Sequence, residues 1–112
     1  MKQLKLKRKQ KREQNKGVIK MTVGIVGLGL IGGSMARAYK AAEHTVLGFD
    51  KDTAASGYAL LSGIIDGELT KDNLSECELL FIALYPGASE EYLIDNAPYI
   101  RKGATVIDLC GT

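Results

Sequence analysis

The chain of 112 residues predicts the α/β class: an open parallel sheet with helices packed on its faces. Three observations predict it. Short apolar runs of strand length recur at 23–26, 45–49, 79–84 and 104–109. Stretches with apolar residues at helical spacing separate them. The run Leu79-Leu80-Phe81-Ile82-Ala83-Leu84 is apolar throughout, the pattern of a strand covered on both faces by crossover helices. Strand alternating with helix gives right-handed crossovers, and the expected order of the four runs across the sheet is 3-2-1-4.

The first run, Val23-Gly24-Ile25-Val26, enters Gly27-Leu28-Gly29-Leu30-Ile31-Gly32-Gly33-Ser34 and emerges as a helix. Gly27, Gly29 and Gly32 stand at G-x-G-x-x-G spacing, the fingerprint of a Rossmann-type dinucleotide turn. Gly27 allows the tight turn after the strand. Gly29 lets the backbone approach a pyrophosphate, and Gly32 lets the helix pack on its own strand, so that free N–H groups and the positive dipole end meet the phosphates. The fingerprint also needs a carboxylate at the end of the next strand, to accept hydrogen bonds from the adenosine ribose. Thr45-Val46-Leu47-Gly48-Phe49 supplies the strand and Asp50 the acid, 18 positions after Gly32. A carboxylate there repels a 2′-phosphate, so Asp50 favours NAD over NADP, with the cation of Lys51 directly following. The competing reading of Asp50 is a turn or helix-capping residue, to which Asp52 has an equal claim.

Along the first helix Ile31, Met35, Ala38 and Ala42 recur at helical spacing and are the expected core face, ending at Glu43-His44. Asp52 can cap a second helix through Ala54, Tyr58 and Leu61, stopped by Gly63. Asp66-Gly67-Glu68 and Asp72-Asn73 read as a polar connection. After the third run, Tyr85-Pro86-Gly87 breaks the chain on the sheet edge that carries the glycine turn and Asp50, the edge where open α/β sheets bind ligands. Ser89 can cap a helix bearing Tyr92, Leu93 and Ala97, with Glu90 and Glu91 in its first turn. Pro98 interrupts it, a short turn reaches Arg101, and Gly103 stops it. The last strand, Ala104–Leu109, is an exposed edge of Val106, Ile107 and Leu109 that invites pairing, so a homo-oligomer is expected.

At 46% apolar and 25% charged residues the composition is that of an ordinary globular domain, with length for one. The net charge of +2 conceals a split. Residues 1–20 hold nine Lys or Arg against Glu13 alone, whereas the rest holds six basic and twelve acidic groups. The chain therefore divides into a basic extension, 1–20, expected to be disordered because it lacks an apolar face, and a partial dinucleotide-binding domain, 21–112. Met21 stands where such domains commonly begin, so the extension is expected to be a non-native or roleless arm; its alternative use is nucleic-acid contact. No secretory signal or membrane-length apolar stretch is present. Cys77 and Cys110 form no C-x-x-C, suit the cytoplasm and are expected to be buried. His44, the one histidine, has no metal-ligand spacing around it, so no metal is expected.

The run Gly27-Leu28-Gly29-Leu30-Ile31-Gly32-Gly33-Ser34 is more specific than the general fingerprint, and here the chain resembles the prephenate/arogenate dehydrogenases of tyrosine biosynthesis. The resemblance continues through Gly48-Phe49-Asp50, Gly63-Ile64-Ile65-Asp66, Ala83-Leu84-Tyr85-Pro86 and Val106-Ile107-Asp108, covering residues 22–112. It implies an oxidative decarboxylation in which NAD takes a hydride from prephenate, carbon dioxide leaves and the ring becomes aromatic, giving 4-hydroxyphenylpyruvate. It assigns Gly27, Leu28, Gly29, Leu30, Ile31 and Gly32 to the pyrophosphate, Asp50 and Lys51 to the adenosine side, and Ala83, Leu84, Tyr85 and Pro86 to the nicotinamide half. Much of the family closes the fourth strand with D-x-G-S-V-K, its serine near the substrate's ring hydroxyl. Here Asp108-Leu109-Cys110-Gly111-Thr112 sets Gly111 at that place, with Cys110 or Thr112 as replacements or mere spacers. The family's catalytic histidine, a general base in an H-P-M motif, and its helical dimerisation domain fall past Thr112, so no catalytic residue is assigned and the chain alone is expected to hold cofactor without turnover. Related 3-hydroxyacid dehydrogenases and pyrroline-5-carboxylate reductases share the outline and stand second. A non-catalytic dinucleotide sensor with a DNA-contacting arm is the reading from another class, though no helix-turn-helix supports it.

Overall fold

The computed structural model describes residues 19–109. The basic extension up to residue 18, Cys110, Gly111 and Thr112 lie outside them, and with them the expectations of a disordered arm and of a buried Cys110.

Seven elements follow the predicted alternation and an eighth, β3, is added to it: β1 (Thr22–Val26), α1 (Leu30–Ala41), β2 (Thr45–Phe49), α2 (Thr53–Leu61), β3 (Gly67–Glu68), β4 (Leu79–Ile82), α3 (Pro86–Asn96) and β5 (Thr105–Asp108). Short 3₁₀ turns at Leu74–Glu76 and Ala97–Tyr99 complete them. All pairings are parallel, in the order β3-β2-β1-β4-β5. The expected class and the chain-order pattern 3-2-1-4 stand, but their occupants need correction. The outer place beside β2 belongs to Gly67–Glu68, expected as a polar connection, and the apolar run at Leu79–Ile82 is the fourth strand, paired with β1 on its other side. The small strand carries no apolar side chain of its own; hydrogen bonds pin it to β2, with buried Ile65 and Leu69 on either side of it. Asp66 N–H donates to Val46 O (2.7 Å), Val46 N–H donates to Asp66 Oδ2 (2.8 Å), and Leu69 N–H donates to Gly48 O (2.8 Å).

Side chains alternate across the strands and divide the core between the two faces. Val23 and Ile25 of β1 join Phe81 of β4, Ala36 of α1 and Ala59 of α2 on one face. Val26, Leu80 and Ile82 join Leu74 and Cys77 on the other, under Tyr92 and Leu93 of α3. Right-handed crossovers running outward from β1 in opposite directions put α1 and α2 on one face and α3 on the other.

The rotation of α1 differs from its expected apolar stripe. Gly32 and Ala36 are buried and Met35 and Tyr39 half-buried, whereas Ile31, Ala38 and Ala42 are exposed. A Cβ at Gly32 would land on the carbonyl of Gly27, so this glycine must face β1, and that contact sets the helix face. A second correction concerns α3. It starts at Pro86, in the first helical position that proline favours, with Tyr85 as N-cap. Ser89 therefore lies a turn inside the helix, buried, its hydroxyl donating to Leu84 O (3.2 Å), and neither Glu90 nor Glu91 falls in the first turn. The turn after Pro98 ends at Tyr99, short of Arg101. Asp52, as expected, caps α2 by accepting from Ala54 N–H (3.0 Å), and Gly63 stops it at φ +77°. β5 is an exposed edge strand with both faces open.

Candidate functional site

In a parallel sheet all carboxyl ends of the strands lie on one edge. β1 and β4 are neighbours whose connections leave in opposite directions, so the crevice between their ends is the topological switch point. The glycine turn leaves β1 at this crevice. Gly27 has φ +94° and packs against the carbonyl of Ala83, which closes β4; the Ala83 N–H in turn donates to Val26 O (2.7 Å). A side chain at Gly27 is excluded by backbone angle and by contact.

Two consecutive residues at the end of β2 hold two consecutive residues of the turn. Gly27 N–H donates to Phe49 O (2.7 Å), and Leu28 N–H donates to Asp50 Oδ2 (2.7 Å). The other oxygen, Asp50 Oδ1, accepts from Asp52 N–H (2.9 Å). The Asp50 side chain organises the turn before α2 and sits beside the glycine turn. Asp52, its rival for the capping role, is the cap. Each carboxylate oxygen retains lone-pair capacity beyond the bond it already accepts.

Beyond Leu28 the backbone is open. Gly29 is the N-cap of α1, no side chain caps that helix, and no acidic residue sits in its first turn. A Cβ built on Gly29 meets nothing within 4 Å. The first N–H groups of a helix point out of its end and carry its positive partial charge. An uncapped helix start with clear space over it therefore fits a phosphate group.

On the α3 side of this edge a cleft of about 380 Å³ opens beside Asp50. Phe49, Leu69, Leu84 and Tyr92 give it an apolar bed, and Lys51, Lys71, Glu91 and Asp95 add exposed charges. The Phe49 and Tyr92 rings stand 6.0 Å apart. Burial pushes the Tyr92 phenol up to about 12, with the neighbouring Cys77 adding to the rise. A flat apolar bed next to a carboxylate suits a base and its ribose. Leu84 lies in the same cleft as Asp50, whereas Tyr85 is 86% exposed at the start of α3. The four residues assigned to one half of the ligand therefore face different surroundings. Phe49, Leu69 and Tyr92 are residues that sequence reading did not single out as cleft residues. Phe49, next to Asp50, could have been found by position, but Leu69 follows a strand too short to see in the sequence.

The one histidine is not at this edge. His44 precedes β2 and so stands at the opposite edge, where its Nδ1 accepts from Met21 N–H (3.0 Å). Among the described residues no cluster of His, Cys, Asp or Glu could hold a metal, and no helix is long and apolar enough to cross a membrane.

Comparison with known proteins agrees with this geometry. A family profile described as the NAD binding domain of 6-phosphogluconate dehydrogenase matches residues 22–112. Among solved structures, arogenate dehydrogenase of Synechocystis superposes with a TM-score of 0.74 at 25% identity, over 79% of this chain and 32% of that one. Prephenate dehydrogenase of A. aeolicus, solved with hydroxyphenyl propionate and NAD+, gives 0.71 at 23% identity, over 83% and 34%. The 3-hydroxyisobutyrate dehydrogenase of Mycobacterium tuberculosis gives 0.70 at 22%, over 80% and 31%. The chain spans about a third of the length of these proteins. No curated protein sequence matches it.

Proposed function

Since this chain belongs to the family of the NAD binding domain of 6-phosphogluconate dehydrogenase, we propose that it is the cofactor-holding part of an NAD-dependent oxidoreductase of the prephenate/arogenate type, acting in tyrosine biosynthesis. The observation that carries the reading is the pairing of an open, uncapped helix start at Gly29 with the Asp50 carboxylate fastened to the same turn. When bound, NAD supplies the hydride acceptor for oxidation of a small molecule. The backbone of Gly27, Leu28, Gly29 and Gly32 shapes the turn, and the free amides of Leu30 and Ile31 take the pyrophosphate. Asp50 accepts from the adenosine ribose hydroxyls, with Lys51 beside it, and the bed of Phe49, Leu69 and Tyr92 takes the adenine. Ala83, Tyr85 and Pro86, at the end of β4, line the nicotinamide half. Leu84 serves the boundary between the halves.

The prephenate or arogenate substrate rests on the run Gly27–Ser34 and on the likeness to the Synechocystis enzyme. A second reading, an NAD-dependent dehydrogenase of the 3-hydroxyacid type, is supported by the likeness to 3-hydroxyisobutyrate dehydrogenase. With His44 engaged at the far edge, no described residue takes the part of the catalytic histidine that the resemblance implies, so we expect cofactor binding without turnover. The open β5 edge supports a homo-oligomer.

The test is a titration of the chain with NADH followed by energy transfer from its tyrosines, with NADPH as comparison and prephenate added last. Saturable binding of NADH, weaker binding of NADPH and no NADH formation from NAD plus prephenate are expected. Absence of saturable NADH binding would overturn the reading, and a preference for NADPH would remove the role given to Asp50.

A further inference from the structure

The bond from Leu28 N–H to Asp50 Oδ2 has a consequence for how a dinucleotide is held, given the cofactor reading above on which this inference rests. We propose that Asp50 is a positioning residue for the phosphate-binding turn as well as a ribose ligand: a clasp that sets the phosphate-facing amides before the ligand arrives.

Leu28 lies between Gly27, at φ +94°, and Gly29, the N-cap of α1. Flanking glycines give this segment more backbone freedom than any other residues would. The fold removes that freedom with two bonds from adjacent residues of β2, Phe49 O on Gly27 N–H and Asp50 Oδ2 on Leu28 N–H, both 2.7 Å. The first is a main-chain bond, present whatever side chains stand there. The second depends on the carboxylate alone. That carboxylate is itself held from its other side by Asp52 N–H at 2.9 Å, and Asp52 is anchored by capping α2 through Ala54 N–H at 3.0 Å. The Asp50 carboxylate is thus held from both oxygens, and the Leu28 amide is held by it. A site fixed in this way loses less entropy on binding.

Asparagine cannot replace this arrangement. Asp50 accepts two N–H bonds on two oxygens, whereas an amide offers one oxygen and turns an NH₂ donor toward one of the two N–H donors. Either the turn or the α2 cap loses its partner.

The two roles separate with ligands that carry only part of the dinucleotide. Reduced nicotinamide mononucleotide has a phosphate but no adenosine ribose; adenosine has the ribose but no phosphate. The wild-type chain, Asp50→Asn and Asp50→Ala are titrated with NADH, with reduced nicotinamide mononucleotide and with adenosine, alongside thermal melts and the amide resonances of Leu28, Gly29 and Leu30. A clasp predicts that loss of the Leu28 bond, complete in Asp50→Ala and read in Asp50→Asn from the Leu28 amide resonance, weakens the mononucleotide by about tenfold, the scale of one lost hydrogen bond, and shifts the Gly29 and Leu30 resonances in the ligand-free chain. Variants that lose NADH and adenosine affinity, yet bind the mononucleotide within twofold of wild type with unmoved resonances, would overturn the clasp and leave the ribose role intact. Failure of the wild-type chain to bind NADH would instead strike the cofactor reading itself. Should Asp50→Ala melt too low to titrate, Asp50→Asn, which keeps one of the two acceptors, carries the comparison.

Discussion

Gly32→Ala is the substitution on which the packing account of the glycine turn can be tested most directly. A Cβ there would land on the Gly27 carbonyl and stand 3.3 Å from Ile25 Cγ2. The main obstacle is backbone, which cannot swing aside as a long side chain can, so α1 has to lift from β1. Overpacking of this kind costs about 1–3 kcal/mol, and a rigid obstacle puts it at the upper end. Replacing glycine by alanine in a helix returns up to about 1 kcal/mol. The net is a loss of about 2 kcal/mol, which lowers Tm by about 8–16 °C in a domain of this size. Gly33→Ala is the internal control. Its Cβ would meet nothing nearer than Leu28 O at 3.6 Å, an ordinary contact, so it keeps the helix-propensity gain and should melt at or above the wild type. Circular dichroism melts of the three chains decide the matter. If Gly32→Ala melts level with Gly33→Ala, the claim that this position seats α1 on β1 is wrong.

Three further outcomes are expected. Gly29→Ala adds its methyl to open space and should leave Tm within a few degrees while weakening NADH by at least about tenfold, if the turn receives a pyrophosphate; unchanged affinity in the same titration would count against that use of Gly29. Burial raises the Asp66 carboxyl, but the hydrogen bonds from Lys40 and from Val46 N–H, with the Lys40 charge, outweigh it and hold the group below its usual 3.8. The unfolded chain therefore takes up this proton first as pH falls, so the stabilisation is complete above about pH 4 and lost below it; Asp66→Asn should lower neutral-pH stability by about 0.5 kcal/mol, the scale of a solvent-screened pair, and flatten the acid limb of a urea-midpoint profile. Burial, with Glu76 and Glu78 adding to it, pushes the Cys77 thiol up to about 11 from 9.0. The unfolded chain gives up that proton first, so stability declines as pH rises from 9 toward 11, and peptide mapping after brief alkylation at pH 8 should find Cys77 unmodified until urea unfolds the chain.

Much of this site is local in the sequence and could be read there. The spacing of Gly27, Gly29 and Gly32, the apolar run into the turn and the acid after Phe49 each act within a few residues of backbone, so composition and spacing carry them. Asp52 and Gly63 likewise announce the ends of α2, because caps depend on one side chain or one backbone angle. Ser89 shows where such reasoning fails: a serine two residues after Pro86-Gly87 looks like a cap, yet proline's own preference for the first helical turn starts α3 earlier.

By itself the sequence determined the class, the place of the glycine turn and the carboxylate beside it, since these follow from periodicity and from residue types that tolerate few conformations. Tertiary structure alone decided which strands are neighbours, which face α1 turns inward and what Asp50 touches. A wholly apolar strand such as Leu79–Ile82 fits either the outer side of β2 or the free side of β1; the outer place is taken by Gly67–Glu68, two residues with no apolar signal, joining β2 through bonds to Val46 and Gly48. The bond from Leu28 N–H to Asp50 spans 22 positions. No local pattern encodes it, because it exists only once parallel pairing has brought the ends of β1 and β2 together.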